Sequence, residues 1–463
     1  MLDRNLVAEV LDVARSGGAT FAELFMEDTV TTNLHLLGGN VKDAGSGNLY
    51  GAGLRLLYGT KVVYAYTNDC TPDGLMEVAR TLARAQGSTG EVDARGAGGL
   101  DFRRLDAKPL WTIRDHPTGV SKREKLEIAR RAHGAAQGEH VRTTDVMYLD
   151  VAQRILVANT EGDWSEDERV RSRLYVTVVA DDGTRRSTGM SGPGAAMGRE
   201  FFDGDLPERT GAEAKRIALA MLPAGYAPAG KMPVVIGNAF GGVIFHEACG
   251  HILETTAVAK KASVFADKLG ERIANECVSA VDDGTIPGAW GSINVDDEAT
   301  PSERTVLIEK GVLKSFMVDR LGELQTGYRR TGSGRRQDYT FAPTSRMRNT
   351  FILEGERTPE ELIADVKFGL YARTMGGGSV TPGTGDYNFT VNEGYLIRDG
   401  EICEPVRGAA LVGNGAQDLM NIVGVANDLD RGQGMCGSQS GSIPTDVGQP
   451  HILISEITVG GRA

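Results

Sequence analysis

The segment NAFGGVIFHEACGHILE at 238–254 sets His246, Glu247 and His251 in the pattern HExxxH. Two neutral imidazoles can hold a zinc ion, and a neighbouring carboxylate can serve as general base toward water at that ion. The spacing imposes a condition. In the better-known HExxH pattern the histidines are four residues apart, about 40° around a helix, so both face one metal. His246 and His251 are five apart, which on an undistorted helix separates them by about 140° and prevents chelation. A helix widened by one residue restores the alignment, and Gly250 supplies a backbone that tolerates irregularity. The spacing therefore predicts an irregular, π-like turn at 249–250.

A catalytic zinc takes three protein ligands and leaves a fourth position for water or substrate. Of the other histidines, His35, His116, His133 and His140 lie in the first half and His451 in an apparent strand, none with a partner at ligand spacing. Cys436, in the glycine-flanked stretch DRGQGMCGSQSG, is the candidate third ligand, since zinc accepts mixed imidazole and thiolate donors. Cys249 competes from i+3 of His246, although it would crowd the turn that must already deform. Glu254 follows His251 by three residues and is placed to hydrogen-bond its imidazole. A helix face of solvated charges would also explain the HExxxH pattern, and a lone cysteine is ordinarily a small buried hydrophobe.

The rest of the chain must position these groups. With 463 residues it exceeds what one core serves, so several domains are expected. The predicted divisions are an N-terminal α/β domain at 1–110, a central α/β segment at 111–225 packed with the first, and a strand-rich C-terminal domain at 226–463. The clearest boundary is LPAGYAPAGK at 222–231. Before it, helices are predicted from the N-terminus to Gly17, at 72–86, 121–137 and 209–221, with short strands between them and a loop at 88–100. After it come the strand MPVVIG, the HExxxH helix with Asn238 as a plausible cap, and mostly strands. One further helix is signalled by TPEELIADVKFGL at 358–370, where Thr358 caps and Pro359 opens. The fold class is α+β.

The formal charge of -12 argues against bulk electrostatic binding of nucleic acid or anionic membrane. No run approaches the roughly 18 apolar residues needed to span a bilayer. Five unpaired-looking cysteines, 70, 249, 277, 403 and 436, fit a reducing compartment, so the expected location is cytoplasmic.

Beyond HEACGH at 246–251, the sequence resembles the TldD/PmbA family of metallopeptidases over most of its length. The matching stretches include VYAYTND at 63–69, GVLKSFMVDR at 311–320, TGSGRRQDY at 331–339, RMRNTFILEG at 346–355, GGGSVTPGTGDYNF, EGYLIRDG and GMCG. The resemblance implies that His246, His251 and Cys436 bind Zn²⁺ and that Glu247 is the catalytic base. It implies a zinc-bearing, TldD-like subunit that forms a homodimer or a heterodimer with a metal-free PmbA-like homologue. It also implies hydrolysis of unfolded or flexible peptides, including precursor maturation. Rival readings are a peptide-binding subunit with structural zinc and a zinc hydrolase of a non-peptide amide.

Extended substrate could pair with backbone around Gly376, Gly377 and Gly378, where glycines precede a strand-like tail. A phosphate loop is excluded there, because no Walker Lys-Ser/Thr follows. Arg335, Arg336 and Tyr339 are further substrate-binding candidates, with surface solvation or internal ion pairing as the alternative. The acidic run Asp296, Asp297 and Glu298 reads as a solvated turn.

Overall fold

A computed structural model describes residues 2–85, 100–105, 109–381 and 384–461. The predicted loop at 88–100 lies outside the described residues except for Leu100. The α+β class is observed: long strands dominate, and helices pack on one face of the first sheet and among the strands of the second half.

The first half is built on an eight-stranded sheet whose main path runs Lys61–Thr67, Asn40–Tyr58, Phe21–Leu37, Val141–Asn159, Asp163–Asp181 and Arg103–Arg104. The stretches at 1–110 and 111–225 therefore share one sheet, joined by the antiparallel pairing of Phe21–Leu37 with Val141–Asn159. The strand-like runs FAELFMED and NLHLL at 21–28 and 33–37 belong to one continuous strand, Phe21–Leu37, paired to neighbours along its whole length. The helices Lys122–Ala135 and Leu206–Met221 bury Ile128, Ala132, Ala214 and Ala218 against Leu34, Val146 and Val176. Ser121 and Glu124 close a capping box at the start of the former, satisfying two amides that the first turn leaves free.

The second half holds two larger sheets. In one, Phe368–Val380, Gly230–Ile236, Ile452–Gly460, Ala410–Asn414 and Asp386–Arg398 pair in succession, and the last pairs back to the first, so five strands close a ring. Val234, Ile236, Leu370, Phe389, Leu411 and Ile454 share one core with Phe245, Ala248 and Ile252 of the HExxxH segment. The other is a six-stranded sheet ending in the hairpin Asp430–Ser438 and Gly441–Gln449. The capped helix begins at Pro359 as expected but stops at Ala364. Residues 368–370, read as helical, start a strand beside Val234–Ile236, because a buried ladder position outweighs local helix preference.

The acidic run is corrected most sharply. Asp296, Asp297 and Glu298 are all at most 1% exposed, buried where the second half meets the first sheet. Glu298 accepts from Arg55 at 2.6 Å and Asp297 from Arg169 at 2.6 Å. These arginines lie more than 120 positions upstream, so local composition gave no sign of the pairing.

Candidate metal centre

The chain enters the site through a 3-10 turn at Ala239–Gly242, a single α-turn at Val243–Phe245 and a π-helical stretch at His246–Gly250. The widened turn covers His246 through Gly250, beginning three residues before the predicted irregularity at 249–250, and brings both imidazoles to one side. Gly250 has ordinary helical dihedrals. Its need for glycine is steric: a Cβ there would sit 2.2 Å from the Met347 sulfur, well inside van der Waals contact. Asn238 precedes the first turn but makes no side-chain cap; its amide donates to Asp428 instead.

Cys436 arrives from the hairpin, facing Ile443 across the ladder. Its Sγ lies 3.2 Å from His246 Nε2 and 3.2 Å from His251 Nε2. The donor atoms of His246, His251 and Cys436 all fall within 4.8 Å of one another. Tetrahedral zinc with nitrogen at about 2.0 to 2.1 Å and sulfur at about 2.3 Å spaces its ligand atoms by about 3.3 to 3.6 Å. The two sulfur–nitrogen separations, at 3.2 Å, lie just below this range.

Burial raises the Cys436 thiol, and His246 and His251 more than reverse this, bringing it down to about 3. The sulfur is thus a thiolate, the form that binds metal. Cys249, the competing ligand, turns away into the core and donates to the Gly415 carbonyl. Burial pushes its thiol up, so it stays protonated.

Glu254 Oε2 is 3.1 Å from His251 Nδ1. That contact orients the ring so that Nε2 faces Cys436. Burial opposes a charged His251, but Glu254, helped by Cys436, holds its pKa well above the usual histidine range. Glu247 lies beside both ring nitrogens that face the centre, 4.0 Å from His246 Nε2 and 3.6 Å from His251 Nε2. Its side chain is 29% exposed, against 2% for His246, so the carboxylate borders the side of the centre open to solvent.

The remaining sequence candidates are not gathered here. Arg335 is buried and donates to the carbonyls of Met347 and Pro444. Arg336 is buried on Glu23 and the Asp297 carbonyl. Both are committed internally and do not offer a guanidinium to substrate. Tyr339 packs in a small cluster with Phe25 and Val157 and receives the Tyr64 hydroxyl on its carbonyl. Gly376 is buried and Gly377 and Gly378 are exposed in the strand Phe368–Val380. Gly376 and Gly377 line a cleft of about 750 Å³ together with Arg173, Tyr175, Phe240 and Gln433. Sequence reading missed Arg346, whose Nη2 donates to the Cys436 carbonyl at 2.5 Å; nothing in its local composition points there.

Comparison with known proteins gives consistent results. The chain matches the PmbA/TldA metallopeptidase C-terminal domain over residues 229–461, the central domain over 115–222 and domain 1 over 22–85. It is 34% identical to a "Metalloprotease TldD homolog" of Haemophilus influenzae, covering 99% of this chain and 97% of that protein. It is 30% identical to a "Zinc metalloprotease TldD homolog" of Saccharolobus solfataricus, over 64% of this chain and 68% of that one. The fold is similar to the crystal structure of TldE from Thermococcus kodakarensis, with a TM-score of 0.76, 17% identity and coverage of 98% of this chain and 100% of the other.

Proposed function

The chain belongs to the PmbA/TldD metallopeptidase family, and from that premise we propose that it is a zinc peptidase of unfolded or flexible peptides, with His246, His251 and Cys436 as ligands and Glu247 as general base. The observation that carries this is the convergence of a cysteine sulfur and two imidazole nitrogens from segments about 190 residues apart. A mixed nitrogen and sulfur set suits zinc better than the hard cations that prefer oxygen.

Zinc held there supplies Lewis acidity toward the scissile carbonyl and toward water. Glu247 accepts a proton from the attacking water and passes it to the leaving amide nitrogen, so the proton balance of hydrolysis closes on one carboxyl group. Glu254 keeps the His251 ring in the binding tautomer. The partial exposure of Glu247 favours a catalytic site over a purely structural one, which would be closed on all sides.

Substrate is proposed to bind as an extended strand. Among the described residues, Phe368–Val380 pairs with Gly230–Ile236 only through Leu370–Ala372, so past that point one of its edges is free along the glycines. A peptide added to that edge would be held through its backbone, with weak sequence preference. The proposed unit is a dimer, with itself or with a metal-free homologue, which sedimentation of the chain with and without such a homologue would reveal. Among the described residues no helix is long and apolar enough to cross a membrane. The cysteines are free, and the proposed location is the cytoplasm.

The deciding test is cleavage of a disordered protein such as casein. Activity that chelation and Glu247→Ala both abolish is expected. Unchanged cleavage after both treatments contradicts the reading.

A further inference from the structure

His246, Glu247 and His251 lie on an irregular helix embedded in the core of the strand ring, while Cys436 lies on a hairpin of the neighbouring sheet. A stable ligand set needs the distance between these two elements fixed to a fraction of an ångström. The segment 345–349 touches both. Toward the helix, the Met347 N–H donates to Glu254 Oε1 at 3.2 Å and the Met347 sulfur fills the space beside Gly250. Toward the hairpin, Asn349 pairs with Asp446. Between them Arg346 extends its side chain to the Cys436 end of the hairpin.

The Arg346 guanidinium is wholly buried. Nη2 donates to the Cys436 carbonyl at 2.5 Å, and Nη1 donates to Ser440 Oγ at 3.0 Å and to the Gly441 carbonyl at 3.0 Å. Its backbone N–H donates to Ser333 O at 2.8 Å, which anchors the residue independently of the hairpin. Among the described residues the carboxylate within 4.0 Å is that of Glu254, the partner of His251, at 3.9 Å. Arg348, two residues on, is equally buried but has the ordinary arrangement, an ion pair with Asp282 at 2.7 Å. A buried guanidinium aimed at carbonyls is an expensive way to close a hairpin, since an apolar side chain of similar volume would do so with less desolvation. The planar fork does what such a side chain cannot: it grips the backbone of the ligating cysteine and the turn that follows in one fixed orientation.

Resting on the zinc reading above, we propose that Arg346 is a positioning residue that holds the Cys436 sulfur at its reach from His246 and His251, linking the hairpin to the Glu254–His251 pair. Two buried side chains of opposite sign border the ligands, Arg346 from the segment 345–349 and Glu254 from the end of the HExxxH turn. Arg346 acts through the Cys436 backbone and touches neither substrate nor metal.

The test is cobalt titration of the full chain after chelation. It reads the thiolate-to-cobalt charge-transfer absorption and the affinity in competition with a chelator, with Cys436→Ala as the zero of the absorption. Arg346→Met removes the fork and the charge; Arg346→Lys keeps the charge and is the variant to rely on where the first does not fold. With far-UV circular dichroism of the metal-free chain unchanged, Arg346→Lys is expected to lower cobalt affinity about tenfold to a hundredfold and to weaken or shift the sulfur absorption. Full affinity and an unaltered band in Arg346→Lys would overturn the inference and leave the zinc reading standing. An unaltered chain that binds cobalt without any sulfur band would overturn both.

Discussion

At the candidate metal centre, His246, His251 and Cys436 turn their donor atoms toward one another, and among the described residues those atoms meet no hydrogen-bond donors other than each other. At the junction between the first sheet and the second half, Asp296, Asp297 and Glu298 are equally buried, but their oxygens are already taken. Asp296 accepts backbone N–H groups of Glu298, Thr300 and Gly334. Asp297 accepts from Arg169 and the Arg336 N–H, and Glu298 from Arg55 and the Arg320 N–H. Buried charge alone therefore does not mark a site. What separates the two clusters is whether lone pairs are left pointing at a common place, which favours a cation, or are saturated by the chain itself, which favours a rigid joint.

The comparison can be broken by altering each cluster and looking for the wrong kind of damage. Glu247→Gln should produce the largest effect, a fall in kcat of about 10² to 10⁴-fold, with zinc content and thermal stability unchanged. Retained turnover would remove Glu247 from the chemistry. Arg55→Met should do the converse. It strips the partner shared by Glu23 and Glu298, and an unpaired buried carboxylate costs about 3 to 5 kcal/mol. Urea denaturation should show that loss while the folded fraction keeps its zinc.

Asp446 lies on the strand paired with that of Cys436 and accepts the Trp290 N–H. Burial pushes its carboxyl up to about 6, against the pull of Arg431. The folded chain thus keeps a proton that the unfolded chain releases above about pH 4. This contribution to stability is present in full below that pH and is lost as pH rises through about 6, to a limit of about 3 kcal/mol. Asp446→Asn should flatten the stability profile across this window, and an unchanged slope would assign it to other groups. Glu254→Gln should have the smallest effect, a loss of about 10 to 100-fold in zinc affinity from a looser His251. Equal affinity by chelator competition would reduce Glu254 to packing.

The contrast also explains what could be read in advance. The separation of five between His246 and His251 is incompatible with a regular helix, so the π-helical turn at His246–Gly250 was legible in the sequence. The capped helix at Pro359 was legible for the same reason, since local chemistry fixes it. The role of Gly250 was read as backbone tolerance and is instead clearance for Met347, a residue 97 positions away. The acidic run was misread, and internal pairing of Arg336 stood only as an alternative to substrate binding, because their partners belong to other strands and other segments. Contacts of that range are set by sheet order, which no local pattern encodes.

The central claim is that a sulfur and two imidazoles bind one zinc. Zinc content of the chain purified without added metal measures it directly. One zinc per chain, lost in Cys436→Ala with the fold intact, is the predicted result. A Cys436→Ala chain that keeps its full zinc would contradict it.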